Sequence, residues 1–115
     1  MKIKIINLTK NQVLAEDVLL STSFLKRLKG LLGYESFEEN HAMILRPANS
    51  VHTFFMRFPI DVLFVDRNNI VVKAVSNMGP FKITRIYFKS AFVIELHAGM
   101  LNATQTAEGD YLQIQ

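Results

Sequence analysis

The 115-residue chain contains no cysteine. Disulfides, thiolate zinc sites, iron–sulfur clusters and cysteine nucleophiles are therefore excluded, while the compartment is left open, because a chain without thiols is indifferent to redox potential. Its five glycines are dispersed, so neither a phosphate-binding loop nor a dinucleotide fingerprint can be assembled, and no serine stands in a glycine-flanked elbow. Uncharged apolar runs fall far short of the roughly 20 residues that a transmembrane helix needs. Residues 1–20 hold Lys2, Lys4, Lys10, Glu16 and Asp17 and nothing like the apolar centre of a signal peptide. A cytoplasmic location is the expectation from these absences. Internal repeats, low-complexity tracts and linkers are missing too.

What is present suits a folded domain. Half the residues are hydrophobic and a fifth are charged, which excludes disorder. The length fits a single domain over 1–115, and such a chain buries roughly two-thirds of its unfolded surface without metal or disulfide staples. A net charge of +3 permits weak attraction to anions without demanding a nucleic-acid partner.

Period-two alternation in "MKIKIINL" puts Ile3 and Ile5 on one face and Lys2 and Lys4 on the other, the mark of a half-buried strand. With "TKNQ" as turn and "VLAEDVLL" as return strand, residues 2–20 read as a hairpin. "STSFLKRLKGLLG" carries Phe24, Leu25, Leu28, Leu31 and Leu32 in one helical stripe, opened by Ser21 to Ser23 and ended by Gly33. Beyond it, "AMILR" reads as a strand stopped by Pro47, and residues 50–66 as two strands, because Pro59 lacks the amide a ladder needs. "DVLFVD" and "IVVKAV" flank the turn residues "RNN" as a second hairpin. "SAFVIEL" and "YLQIQ" complete the strands. Many short strands with one amphipathic helix predict an α+β domain of mostly antiparallel sheet, a compact barrel or sandwich with the helix as a lid.

These residues, taken in order, resemble the domain of unknown function 192 family, also called uncharacterised protein family 0127. "FLKRLKGLLG", "VHTFFMRFPIDVLFVD", "FVIELHAG" and "EGD" carry the resemblance over nearly the whole chain. It implies a small β-rich domain with a helix. The family's activity is unsettled, so it carries over no catalytic residue.

"SVHTFFMRFPIDVLFVD" is the most apolar stretch of the chain, yet His52, Arg57 and Asp61 interrupt it. A buried charge without a partner costs several kcal/mol. Asp61 could accept backbone amides at a bend while Arg57 braces it; alternatively Arg57 presents its fork to a carboxylate or phosphate. His52 shares a strand face with Phe54, and Asn49, Ser50 and Thr53 make the cluster denser than a core strand requires. Asn49, His52, Thr53, Arg57 and Asp61 are therefore the candidate ligand-binding residues of a binding or interaction module. The expected ligand is a small anionic or hydrogen-bonding molecule, or a peptide terminus. The alternative is a small hydrolase using His52 as base with Asp61 or Glu95. A third possibility is a structural domain pairing through the "YLQIQ" edge.

His41, His52 and His97 are scattered, without a spacing such as His-Glu-x-x-His. Glu95 and His97 share a strand face, but no metal or cofactor is assigned. Lys26, Arg27 and Lys29 beside the leucine stripe read either as a solvated helix face or as a membrane-surface helix. Nucleic acid is not an expected partner, because the Phe residues lie in core-like strands and the basic stripe is short.

Overall fold

Alternation and continuous apolar runs translate directly into two sheets. The computed structural model describes residues 3–21, 38–54 and 56–115. Among these residues the eight strands are β1 (Ile5–Asn7), β2 (Gln12–Ala15), β3 (Asp17–Ser21), β4 (His41–Leu45), β5 (Ile60–Val65), β6 (Val71–Met78), β7 (Phe92–His97) and β8 (Leu112–Ile114). A short helix, α1 (Met100–Thr104), lies between β7 and β8. The larger sheet has the order β3-β4-β7-β5-β6 and the smaller one β2-β1-β8. All pairings are antiparallel except β3 with β4, which is parallel. Parallel neighbours need a long crossover, and residues 22–40 connect this pair. The helix expected over 21–33, with its basic face, lies almost entirely outside the described residues.

β5 and β7 occupy the middle of the large sheet, and every residue of β5 is buried. That is why "IDVLFV" has no polar alternation: both faces of the strand are covered. One face packs against the small sheet and α1, with Ile44, Leu63, Phe92, Ile94 and Leu96 meeting Ile5, Leu14, Leu101 and Leu112. Register places Ile94 between Ile44 and Leu63. The second face, bearing Met43, Ile60, Val62, Phe64 and Val93, is covered by Val51, Met56 and Phe58.

The architecture is mostly antiparallel β and sandwich-like, as expected, but a barrel is not formed. The two sheets remain separate, tied at one corner by an Ile70–Tyr111 bridge and by the Val71 amide donating to the Asp110 carbonyl at 2.9 Å. The first hairpin is also shorter than expected. "VLAEDVLL" breaks at Glu16, where the chain leaves the small sheet for the large one and the Glu16 amide donates to Asn40. The second hairpin forms as read: Asp66 Oδ1 accepts the Asn68 and Ile70 amides at 2.8 and 3.0 Å, and Asn69 takes φ 64°. This side-chain-closed turn is the physical content of "RNN".

Among the described residues of 50–58 none lies in a strand, and their ladder element is an isolated bridge from His52 to Ile83. Val51, Met56 and Phe58 are plugs for the second core, set by irregular backbone. α1 was not anticipated. Five residues are too few for a helical period to show or for a helix to stand alone, and its N-terminal amides are satisfied from the large sheet.

Candidate functional site

Between β4 and β5 the chain crosses the second core and pairs with residues 79–87. Thr53, fully buried, makes the central tie. Its hydroxyl donates to the Gly79 carbonyl at 2.6 Å and accepts from the Lys82 amide at 2.9 Å. Its own amide donates to the Lys82 carbonyl at 2.8 Å, and its carbonyl accepts from Phe81 at 2.9 Å and Met56 at 3.1 Å. On one side of this tie the Thr84 amide donates to the Val51 carbonyl, and the Val51 amide to Thr84 Oγ1. Further along, the Tyr87 amide donates to the Asn49 carbonyl at 2.8 Å. Two irregular segments thus become one stitched ribbon.

The ribbon holds four of the five candidates, Thr53 among them. Asn49 is exposed and anchored through its carbonyl. His52 is half-buried, and its ring stacks on Phe54 with centroids 4.8 Å apart and planes at 26°. Phe54, opposite in orientation to Thr53, is exposed. Arg57 follows on the surface, with no hydrogen bond or ion pair holding its guanidinium among the described residues.

Asp61 is elsewhere. It shares the parity of Leu63 and Val65, so its carboxylate enters the core on the small-sheet side while the ribbon covers the other side. It is fully buried. Oδ2 accepts the Gly99 and Leu101 amides at 3.0 and 2.9 Å, and Oδ1 accepts the Asn77 amide at 2.7 Å. Asp61 therefore caps α1 from across the sheet, a negative group at the helix start. It forms no pair with Arg57, and the large sheet separates it from His52. Glu95 is fully buried in β7 between register partners Met43 and Val62, on the ribbon side.

Thr53 cannot act as a nucleophile while its hydroxyl bridges two backbone groups. Among the described residues no three His, Asp or Glu lie together as a metal site. His41 sits apart, 3.4 Å from Asp17 and 3.5 Å from Glu38.

Two open hollows lie away from the candidates. One, of about 660 Å³, is lined by Asp66, Arg67, Asn68, Phe88, Lys89, Ser90 and Ala91. The other, of about 270 Å³, lies over β2 and Met100. A second polar cluster joins β1 to the C-terminal segment: Asn7 Nδ2 donates to Asp110 Oδ2 at 2.8 Å and Thr106 Oγ1 at 3.0 Å, and Lys10 Nζ lies 3.0 Å from Asp110. Burial pushes the Asp110 carboxyl up. Hydrogen bonds from Asn7, the Ala107 amide and Lys10, with the Lys10 charge, outweigh burial and hold it below its ordinary value.

Exposed Phe81, Ile83, Ile86 and Phe88 correct the expectation that the Phe residues belong to core strands. They follow the ribbon's second segment, interleaved with exposed Lys82, Arg85 and Lys89. The interleaving "FKITRIYFK" was in view in the sequence. Its exposure depends on 79–87 being tied down by Thr53 and Asn49, which pattern alone does not show.

Fold and surface together define a small two-sheet domain that presents a stitched ribbon. The chain belongs to the DUF192 family, described as "Uncharacterized ACR, COG1430", over residues 5–114. It is 33% identical over 117 residues to a UPF0127 protein of Thermococcus kodakarensis, covering 94% of this chain and 71% of the relative. It is 30% identical to a UPF0127 protein of Pyrococcus horikoshii, covering 95% of this chain and 96% of that one. Among solved structures, a Novosphingobium aromaticivorans protein of unknown function matches with TM-score 0.80 and 18% identity, over 96% of this chain and 82% of the other. A Sinorhizobium meliloti protein described as a candidate transcription regulator matches with TM-score 0.78 and 20% identity, over 97% and 91%. At these identities the structures show a shared fold alone. Among the described residues no helix is long and apolar enough to cross a membrane.

Proposed function

We propose that the protein is a binding module whose recognition surface is the ribbon of residues 49–57 and 79–87. In this reading Arg57 captures an anionic group, Asn49 and His52 orient it, and Phe54 supplies an aromatic wall. Thr53 positions the others without touching the ligand, and Asp61 acts at a distance by fixing α1 and β6. The observation that supports this best is the contrast in satisfaction. Thr53 and Asp61 spend their polar atoms on backbone, whereas Arg57 stands exposed in the same segment as the exposed Phe54 ring. A planar guanidinium suits a carboxylate or phosphate.

The test is thermal unfolding with inorganic phosphate and with a short peptide bearing a free C-terminus. Ligand at a hundredfold excess over its Kd stabilises the folded state by about 2.7 kcal/mol, so the parent should melt several degrees higher. Arg57→Met should abolish that rise and leave the ligand-free melting temperature unchanged, since exposed substitutions shift stability by only about 0.5 kcal/mol. Failure of both anions to stabilise the parent, or an undiminished rise in the variant, refutes the reading. A large loss of ligand-free stability would instead make Arg57 a brace.

A further inference from the structure

Residues 79–91 contain Lys82, Arg85 and Lys89 and no acidic residue. The apolar side chains between these cations are turned outward: Phe81 is 75% exposed, Ile83 69% and Phe88 84%. Single exposed hydrophobes are ordinary, but a contiguous run of them marks a contact surface. Phe81 adds an independent observation. It adopts φ 60° directly after Gly79 and Pro80, a left-handed conformation that suits Gly, Asn or Asp far better than an aromatic residue. Neither the turn nor the core accounts for a phenylalanine there.

We infer that the 81–89 loop docks on an anionic lipid surface. Phe81, Ile83, Ile86 and Phe88 enter the headgroup–acyl boundary, and Lys82, Arg85 and Lys89 meet the negative headgroups. The hollow beside Phe88, where Arg67 and Lys89 outnumber the single acid Asp66, gives a headgroup room next to the inserted ring. This inference rests on the reading above, whose ribbon holds the loop, and names a partner for that ribbon. Charge decides against loop-to-loop pairing of two copies, because that would bring like cations together. The aliphatic Ile83 and Ile86 favour a bilayer over a nucleic acid, whose bases need flat stacking partners.

The experiment is co-sedimentation of the full chain with phosphatidylcholine vesicles with and without phosphatidylglycerol. The parent should sediment only with the anionic vesicles, and added salt should release it. Each charge removed by Lys82→Gln, Arg85→Gln or Lys89→Gln should lower partitioning about five-fold. Phe88→Ser and Phe81→Asn should each lower it by at least about ten-fold. Phe81→Asn should keep or raise the melting temperature, since asparagine tolerates this backbone, so its loss of binding cannot be ascribed to unfolding. The inference is overturned by equal sedimentation with both vesicle types, by indifference to these substitutions, or by no vesicle binding at all. Concentration-dependent dimers abolished by Phe88→Ser, without lipid binding, would overturn it in favour of self-pairing. Tighter binding to a single-stranded oligonucleotide than to vesicles would likewise overturn it. Phosphate stabilisation that depends on Arg57 while vesicles go unbound sinks this inference and leaves the reading of the ribbon intact; absence of both sinks both.

Discussion

Replacing Asp61 with alanine removes three charge-assisted hydrogen bonds at once. The consequence can be apportioned from where the three donors lie. The Leu101 amide, 2.9 Å from Oδ2, belongs to a buried residue that water does not reach, so its orphaning costs about 1–3 kcal/mol. Gly99 and Asn77 are exposed residues, and their amides can turn to solvent. Each then forfeits only the net value of its bond, about 0.5–1.5 kcal/mol. The sum is about 2–6 kcal/mol, against a total stability of about 5–15 kcal/mol for a domain. Asp61→Asn is the informative control. One amide oxygen can still serve Gly99 and Leu101, but the NH2 group must then face the Asn77 N–H, donor against donor. Its loss should approach that of alanine despite relief from burying a charge.

Urea unfolding at neutral pH measures the change. A lower midpoint at constant slope is expected, with a melting temperature lower by about 10–15 °C for a 3 kcal/mol loss. Amide hydrogen exchange at 99–104 should speed up together with the lost stability. If Asp61→Ala shifts stability by less than about 0.5 kcal/mol while phosphate or peptide binding disappears, the cap is incidental. Asp61 would then belong to the recognition site after all.

Thr53→Val keeps the shape of the side chain and removes the hydroxyl that bridges Gly79 and Lys82. It should cost about 2–4 kcal/mol, Thr53→Ser should cost much less, and equal effects in urea unfolding would disprove the bridging role. Leu63→Ala, between the two sheets at zero exposure, should cost about 2–5 kcal/mol as a cavity, and calorimetry showing under 1 kcal/mol would mean a looser core than the contacts imply. The Asp110 carboxyl is held below its ordinary value of 3.8, so its stabilisation is complete above that pH and is lost as pH falls through the lower folded-state value. Asp110→Asn should flatten that part of the acid limb of stability, and an unchanged acid limb would show that the Asn7–Lys10–Asp110 cluster contributes nothing pH-dependent.

The legible features were those with local causes. "DVLFVD" and "IVVKAV" around "RNN" announced the second hairpin, whose turn Asp66 closes with its side chain. Period-two reasoning also put His52 and Phe54 side by side, and their rings stack. Non-local causes were not legible. Residues 50–58 have strand composition, but their backbone partners lie at 79–84, so composition could not show a ribbon instead of a ladder. α1 has no local cap to announce it, because its cap is 40 positions earlier in the chain. Reading the Phe residues in general as core assumed that apolar residues are inside, a rule that holds in only one direction. The helical stripe at 21–33 falls among residues that are not described.

Arg57 and Asp61 show why charges clustered in sequence need not form one site. In a continuous strand, residues four apart share a face. Here β5 starts only at Ile60, and Arg57 belongs to the irregular segment before it. Strand parity then governs Asp61 alone and turns it towards Leu63 and Val65, while Phe58 plugs the opposite core and leaves Arg57 outside. The two charges meet opposite physical demands. A buried carboxylate persists because three amides replace its water, and in doing so it fixes a helix too short to hold itself. An exposed guanidinium owes nothing to the core, and among the described residues no hydrogen bond or ion pair holds that of Arg57. The polar residues of this Phe-rich run therefore divide between those that hold the scaffold and those that the fold leaves at the surface.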